Sequence, residues 1–199
     1  MKPTADPAAL DDTARAFTQV DLIGGNRNAW MTTAGLRLGG GTIFGSYAWT
    51  TVDRAYGLGY ARPIAQRDLG FLGSIGTGLD LYGAYDIDKW TGYNERAVRL
   101  AIPLSIRWGS PSRLSLSPFI APYAELGRAG LEQGDCVYTA PSCTNPYRVG
   151  PGQTREAGLG AGAELTAWHV SLNFGLRNLW MRRDALYSDQ ASLGIRVRF

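Results

Sequence analysis

Between Arg99 and Trp108 the chain alternates strictly: Leu100, Ile102, Leu104, Ile106 and Trp108 share one parity, and Arg99, Ala101, Pro103, Ser105 and Arg107 share the other. A period of two belongs to a β-strand, whose successive side chains leave opposite faces, and one face here is wholly apolar. The pattern returns in Val170, Leu172, Phe174, Leu176 and Trp180 against Ser171, Asn173, Gly175 and Arg177. It returns again in Ala191, Leu193, Ile195, Val197 and Phe199 against Ser192, Gly194, Arg196 and Arg198. Read along the whole chain, it predicts ten strands, near 16–24, 29–39, 42–52, 55–63, 70–85, 96–108, 114–126, 155–167, 169–181 and 189–199. Tight joints such as Gly39-Gly40-Gly41, Gly109-Ser110-Pro111-Ser112 and Ala167-Trp168-His169 alternate with mostly longer ones, the longest running from Gly127 to Thr154. That rhythm is expected of an up-and-down barrel with turns at one end and loops at the other, and an even strand count returns both chain ends to the turn side.

Alternation alone does not choose the solvent, since a soluble sandwich or lipocalin-like barrel alternates too. The chemistry of the two faces does. The polar faces carry Gly, Ser and a balanced charge set: Asp21, Asp80, Glu125, Glu156 and Glu164 against Arg37, Arg99, Arg107, Arg177 and Arg196. A narrow lumen lined this way holds ion pairs, with Asp80, Arg99, Arg107, Glu125, Glu156, Glu164, Arg177 and Arg196 as the expected members. Trp108 and Trp168 fall at the turn ends of their strands, and Trp30, Trp49 and Trp180 near the loop ends, as two bilayer interfaces select. Nine of the ten expected strands run 9 to 13 residues, a length that suits a tilted crossing of the hydrocarbon. The expected fold is therefore all-β, a closed antiparallel transmembrane barrel of ten strands, with eight as the alternative. Pro103, Pro118 and Pro122 fall inside expected strands, where proline cannot donate to the ladder, so bulges or an open seam are expected between 96–108 and 114–126.

Composition narrows the remaining possibilities. No run approaches 18 consecutive apolar residues, which excludes a membrane-spanning helix. The net charge of +3 is scattered rather than gathered into runs, and nothing calls for nucleic acid. The basic residues are nearly all Arg, with Lys only at Lys2 and Lys89, a bias that suits carboxylate or phosphate pairing. A single histidine gives transition-metal chemistry no support, and no cofactor is expected. Cys136 and Cys143 lie close together in a Gly-, Pro-, Ser- and Thr-rich segment, which reads as a local disulfide of an oxidising compartment. Closing so short a loop contributes at most about 2.5 kcal/mol in the chain-entropy model. The first seven residues, Met-Lys-Pro-Thr-Ala-Asp-Pro, have no apolar core of a secretory leader, so an exported protein is expected here in its mature form. Residues 1–15 are read as a periplasmic tail and 16–199 as the barrel, with the external loop at about 127–154.

The chain ends in Ser192-Leu193-Gly194-Ile195-Arg196-Val197-Arg198-Phe199. This resembles the C-terminal signal of bacterial outer-membrane barrels: a polar residue, then Gly194, alternating hydrophobics including Val197, and a terminal aromatic, Phe199. The whole-chain pattern is similar to the small barrels of the OmpA, OmpX and OmpW kind, which have eight strands where ten are counted here. The resemblance implies an outer-membrane location. It also implies a last strand read by the barrel-assembly machinery and closed against the first, with Phe199 at the inner interface.

Candidate chemistry is sparse. His169-Val170-Ser171 is similar to the His-x-Ser of outer-membrane lipid A deacylases, but strand parity puts His169 at the turn end, away from the outer leaflet, and Asn173 and Asp184 do not rebuild the motif. Gly158-Leu159-Gly160-Ala161-Gly162 lies within period-two alternation rather than between a strand and a helix, which excludes a phosphate loop. Arg27, Arg54, Arg96, Arg128, Arg148, Arg155, Arg182 and Arg183 sit on or beside the expected outer loops. Of these, Arg128, Arg155, Arg182 and Arg183 are the expected contacts to lipopolysaccharide phosphate, set against a plain solvated rim. The leading expectation is a non-catalytic structural or interaction protein touching lipid, lipopolysaccharide and a protein partner through its loops. A narrow channel for ions or small apolar solutes is the second reading, and a lipid A-modifying enzyme the third.

Overall fold

The computed structural model describes residues 15–24, 28–51, 53–88, 93–110, 112–131, 152–177 and 190–199. Eleven strand segments follow one another: β1 (Ala16–Gly24), β2 (Ala29–Leu38), β3 (Gly41–Trp49), β4 (Asp53–Asp68), β5 (Ser74–Asp88), β6 (Tyr93–Ala101), β7 (Leu104–Ser110), β8 (Leu114–Leu131), β9 (Gly152–Ala167), β10 (Val170–Arg177) and β11 (Gln190–Arg198). Every pairing is antiparallel, and the sheet closes on itself through β4–β5 and β1–β11. Segments β6 and β7 are two halves of one stave. Both pair with β5 and with β8 in unbroken register, Ala101 opposite Tyr123 and Leu104 opposite Ile120. The barrel therefore has ten staves, as the alternation predicts. Where the ends meet, the Arg15 and Ala16 amides donate to the Phe199 carbonyl at 3.0 and 3.2 Å, and the Phe199 amide donates to Ala16 at 2.9 Å.

The prolines act differently from the expectation. No register shift occurs at Pro103, Pro118 or Pro122, and β8 runs in register with β9 through both of its prolines. What is lost is individual bonds. Ile102 donates to the Pro122 carbonyl at 3.0 Å and Gly78 to the Pro103 carbonyl at 3.1 Å, and neither proline has an N–H to return. Among the described residues, the one register shift between paired strands lies at Pro63/Ala65, on β4 against β5. That bulge lets β4 pass Pro63 and run to Asp68, five residues beyond the expected end at 63. Residues read as the start of the next strand instead form a 3-10 turn, Gly70–Leu72, because Gly70 and Gly73 take φ of 65° and 91°, where a side chain is strained. At the opposite end β8 reaches Leu131 and β9 begins at Gly152, so the strands extend into the segment expected to be loop.

The wall is inside-out relative to a soluble barrel. Val20, Leu22, Leu58, Leu81, Val98, Leu100, Leu172 and Ile195 are among the exposed outward residues, while Asp21, Asp80, Arg99, Glu125, Glu164 and Arg196 are buried inward. Trp30 stands at the loop end and Trp108 and Trp168 at the turn end, all exposed; Trp90, Trp180 and the two cysteines lie outside the described residues.

Inward glycines make room for rings. Phe17 lies over Gly35, Phe44 over Gly59, Phe119 over Gly162 and Tyr123 over Gly158, each glycine being the ring's direct cross-strand partner. Tyr82 leans over Gly57, stacks on Phe44 with centroids 5.9 Å apart, and shares a 2.5 Å hydrogen bond with Ser46. A side chain at Gly57 would collide with the buried Tyr82 ring, whereas one at the outward Gly83 meets only the Leu58 carbonyl, at 3.8 Å. Gly57→Val is expected to destabilise the barrel by about 1–3 kcal/mol, and Gly83→Ala to stay within about 0.5 kcal/mol. Denaturant unfolding in detergent micelles, followed by tryptophan fluorescence, checks both.

Candidate functional site

Two sets of side chains merit functional reading: the charged lumen and the outer rim. In the lumen, β10 carries Arg177 across to β8 and β9. Its Nη2 lies 3.0 Å from Glu125 Oε2 and 3.6 Å from Glu156 Oε1, and its guanidinium sits 5.0 Å over the Tyr123 ring. Tyr123 donates to Glu156 at 2.5 Å. Arg99 is 2% exposed, 4.0 Å from Asp80, and lies between the rings of Tyr82 and Tyr123 at 5.5 and 6.0 Å.

Nearer the turn end, Glu164 gathers a second group. Arg196 Nη1 donates to it at 3.0 Å, Thr166 donates at 2.8 Å, and Arg198 also donates to it. Arg196 Nε donates to Gln19 at 2.8 Å, and its guanidinium stands 4.9 Å over Phe17. Such pairs stabilise little relative to an apolar filling, but removing one partner leaves a buried charge uncompensated, at about 3–5 kcal/mol. Long side chains tied at both levels reach into the lumen.

Seven of the eight residues expected in the interior pairs are in them: Asp80, Arg99, Glu125, Glu156, Glu164, Arg177 and Arg196. Arg107 faces inward but is half-buried at the turn end, where β7 is ending, and it joins none of these pairs. Parity with Arg196 was enough to place Arg198 inside, and parity with Asp80 and Glu125 placed Tyr82 and Tyr123, but their partnership with the charges is visible only once strands are paired. Ser171 faces inward, 1% exposed, sharing a 3.0 Å hydrogen bond with Thr166, while His169 is exposed in the turn and gives its carbonyl to the Arg198 amide at 2.8 Å. The two do not assemble a hydrolytic pair.

On the outside, cross-strand register aligns a row at the loop end: Tyr56 on β4, Tyr85 on β5, Arg96 on β6, Arg128 on β8 and Gln153 on β9. Arg96 and Arg128 are directly opposite, two like charges side by side, and Arg96 lies 5.3 Å over the Tyr85 ring. Arg155 flanks them on β9, opposite Leu126, and Arg54 stands on β4. All four arginines are exposed. No outward position of the described residues on β4, β5, β6, β8 or β9 near this end carries an acid. Arg128 thus sits on β8 rather than in a loop, because β8 extends past the expected boundary, and Arg155, expected at the first residue of a strand, lies three residues inside β9; Arg27, Arg148, Arg182 and Arg183 lie outside the described residues. Next to this row, on β3 and β4, lies an aromatic group, Tyr47 stacking on Trp49 with centroids 5.5 Å apart and lying tilted against Tyr56 at 5.2 Å.

An apolar belt outside, ion pairs within and strands closed end to end define a transmembrane β-barrel with a charged lumen. Among solved structures, the chain is similar to the N-terminal β-barrel domain of Pseudomonas aeruginosa OprF, with 10% identity over 92% of this chain and 96% of that one at a TM-score of 0.35. It is also similar to Ail, the attachment invasion locus protein of Yersinia pestis, with 9% identity over 92% of this chain and 95% of that one at a TM-score of 0.30. No protein-family model and no curated protein matches the sequence.

Glu164→Leu is expected to destabilise the barrel by about 3–5 kcal/mol by leaving two arginines without their carboxylate, and Glu164→Leu with Arg196→Leu and Arg198→Leu to recover most of that. Equilibrium unfolding of the three proteins in one detergent decides it: a triple variant no better than the single one would show that the charges, not their imbalance, hold the lumen.

Proposed function

We propose that this chain is a non-catalytic protein of the bacterial outer membrane that works at its external end, contacting lipopolysaccharide and a partner there. The observation that carries the reading is the outward group of Arg54, Arg96, Arg128 and Arg155 at the loop end of the apolar wall, where no described outward position of β4, β5, β6, β8 or β9 is acidic. That is the depth at which outer-leaflet phosphates lie. A guanidinium binds phosphate through paired charge-assisted bonds, and a bank of them attracts an anion. Assembly through the terminal strand, with Gly194, Val197 and Phe199 as the recognised positions, completes the reading. The ion-paired lumen speaks against the channel alternative.

Replacing Arg96, Arg128 and Arg155 together by Gln is expected to lower the lipopolysaccharide retained through purification at least fivefold, with folding intact by heat-modifiable gel migration. Unchanged retention would overturn the reading. The wild-type barrel is expected to show no steady conductance in planar bilayers; sustained single-channel currents would restore the transport alternative.

A further inference from the structure

The turn end of the barrel is not level. Strand β3 accompanies β4 only as far as Ala61, which stands opposite Thr42, whereas β4 and β5 stay paired down to Asp68 opposite Ser74. On its other side β5 is covered by β7 over the same stretch, from Thr77 opposite Leu104 to Ser74 opposite Arg107. Positions 62–68 of β4 therefore present a bare edge on the side where β3 would continue. The Leu69 amide donates to the Gly73 carbonyl at 2.8 Å and so faces β5. Alternation back along the strand turns the N–H and C=O of Asp68 and Gln66 to the bare side. Among the described residues no backbone group meets them there. A sheet edge of this kind is a template for one more strand.

The chain itself supplies a segment that reaches this edge. Positions 1–14 precede β1, whose entry is fixed by the Arg15 amide on Phe199 and the Arg37 amide on Arg15. In the order β4-β3-β2-β1 the bare column lies two strand spacings from β1, about 10 Å, a step that three or four extended residues cover. The β2–β3 turn in between carries Gly39 and Gly40, so none of its side chains obstructs the crossing. Running toward β1, the segment has the direction of β3 and is antiparallel to β4. Its charge is complementary too: it holds Asp6, Asp11 and Asp12 against Lys2. The described turn end exposes Arg15, Arg62, Arg67 and Arg113 with one exposed acidic side chain, Asp68. A second copy fits worse. A two-fold axis along the membrane normal brings two β4 edges together running the same way and sets Arg62 and Arg67 against their own kind.

We propose that positions 6–12 form a short strand on this edge, antiparallel to β4, with Asp12 near Arg62 and Asp6 near Arg67. The alignment follows from length: Thr13 to Arg15 span the crossing, and 6–12 then run beside 62–68. Pro7 fixes the faces. Lacking an N–H, it turns away from β4, which turns Asp6, Ala8, Leu10 and Asp12 toward it. The acidic segment thereby covers a strand edge at the inner face of the membrane and shields it from pairing with other chains.

The test is hydrogen–deuterium exchange of the full chain in micelles, resolved to single amides by fragmentation mass spectrometry. The Gln66 and Asp68 amides are expected to exchange at least tenfold slower than unpaired amides. Leu10→Pro, which removes a donor facing β4, is expected to return both to within twofold of the unpaired rate. Ala9→Pro, whose lost N–H faces away, is expected to leave both slow. Asp11→Arg with Asp12→Arg, which touches no backbone donor, is expected to speed both at least threefold. The Arg67 amide faces β5, and its slow exchange throughout reports that the barrel is folded. Unpaired rates at Gln66 and Asp68 in the wild-type protein would mean an open edge and end the proposal. Slow exchange that Leu10→Pro and the arginine variant both leave unchanged would refute it as well, and would give the edge to a second copy if protection falls as the protein is diluted at constant detergent.

Discussion

Inside a bilayer no water waits to satisfy a peptide group, so a sheet that enters it cannot keep an edge. Every other feature of this molecule depends on that requirement. The β1–β11 ladder joins the two ends of the chain, with the Phe199 carbonyl taking two amides at once. Prolines are tolerated only because each removes a single donor without moving the register, and the real adjustment is the bulge at Pro63, toward the turn end of β4 where the strand outruns its neighbour β3.

Closing ten staves creates a second problem, a narrow lumen whose side chains must pack against one another. The solution here is a division between rings and charges. Phe17, Phe44, Phe119 and Tyr123 lie flat over cross-strand glycines, and the guanidinium groups of Arg99, Arg177 and Arg196 stand over those rings or their neighbours while reaching carboxylates on other staves. The glycines that a helix or an ordinary sheet would penalise are thereby part of the packing. The rings lower the polarity around each ion pair, which makes an unbalanced charge there costly and a balanced one specific to this pairing of staves.

Much of this was legible in the alternation. Strand β1 falls on its expected residues, and the inward acids and arginines follow from parity alone, since a strand offers only two faces. Strand ends were harder. Pro63 reads as a stop until its bulge is seen, Gly70 reads as strand until its positive φ is known, and Gly127 reads as loop although β8 continues to Leu131. The outer rim was half visible: Arg54, Arg96, Arg128 and Arg155 could be assigned to the loop end, but that Arg96 faces Arg128 depends on the β6–β8 register, which joins residues 32 apart and leaves no trace in local sequence.

The outer collar is not the same all the way round. Among the described residues, it carries Trp30, Tyr47, Trp49, Arg54, Tyr56 and Tyr85 over β2 to β5, and Arg96, Arg128 and Arg155 over β6 to β9. A barrel with a uniform collar has no preferred neighbour in the plane of the membrane. This one has a heading. Two copies that turn their arginine sides together bring like charges near one another, which turning their aromatic sides together largely avoids, so the two approaches differ in energy.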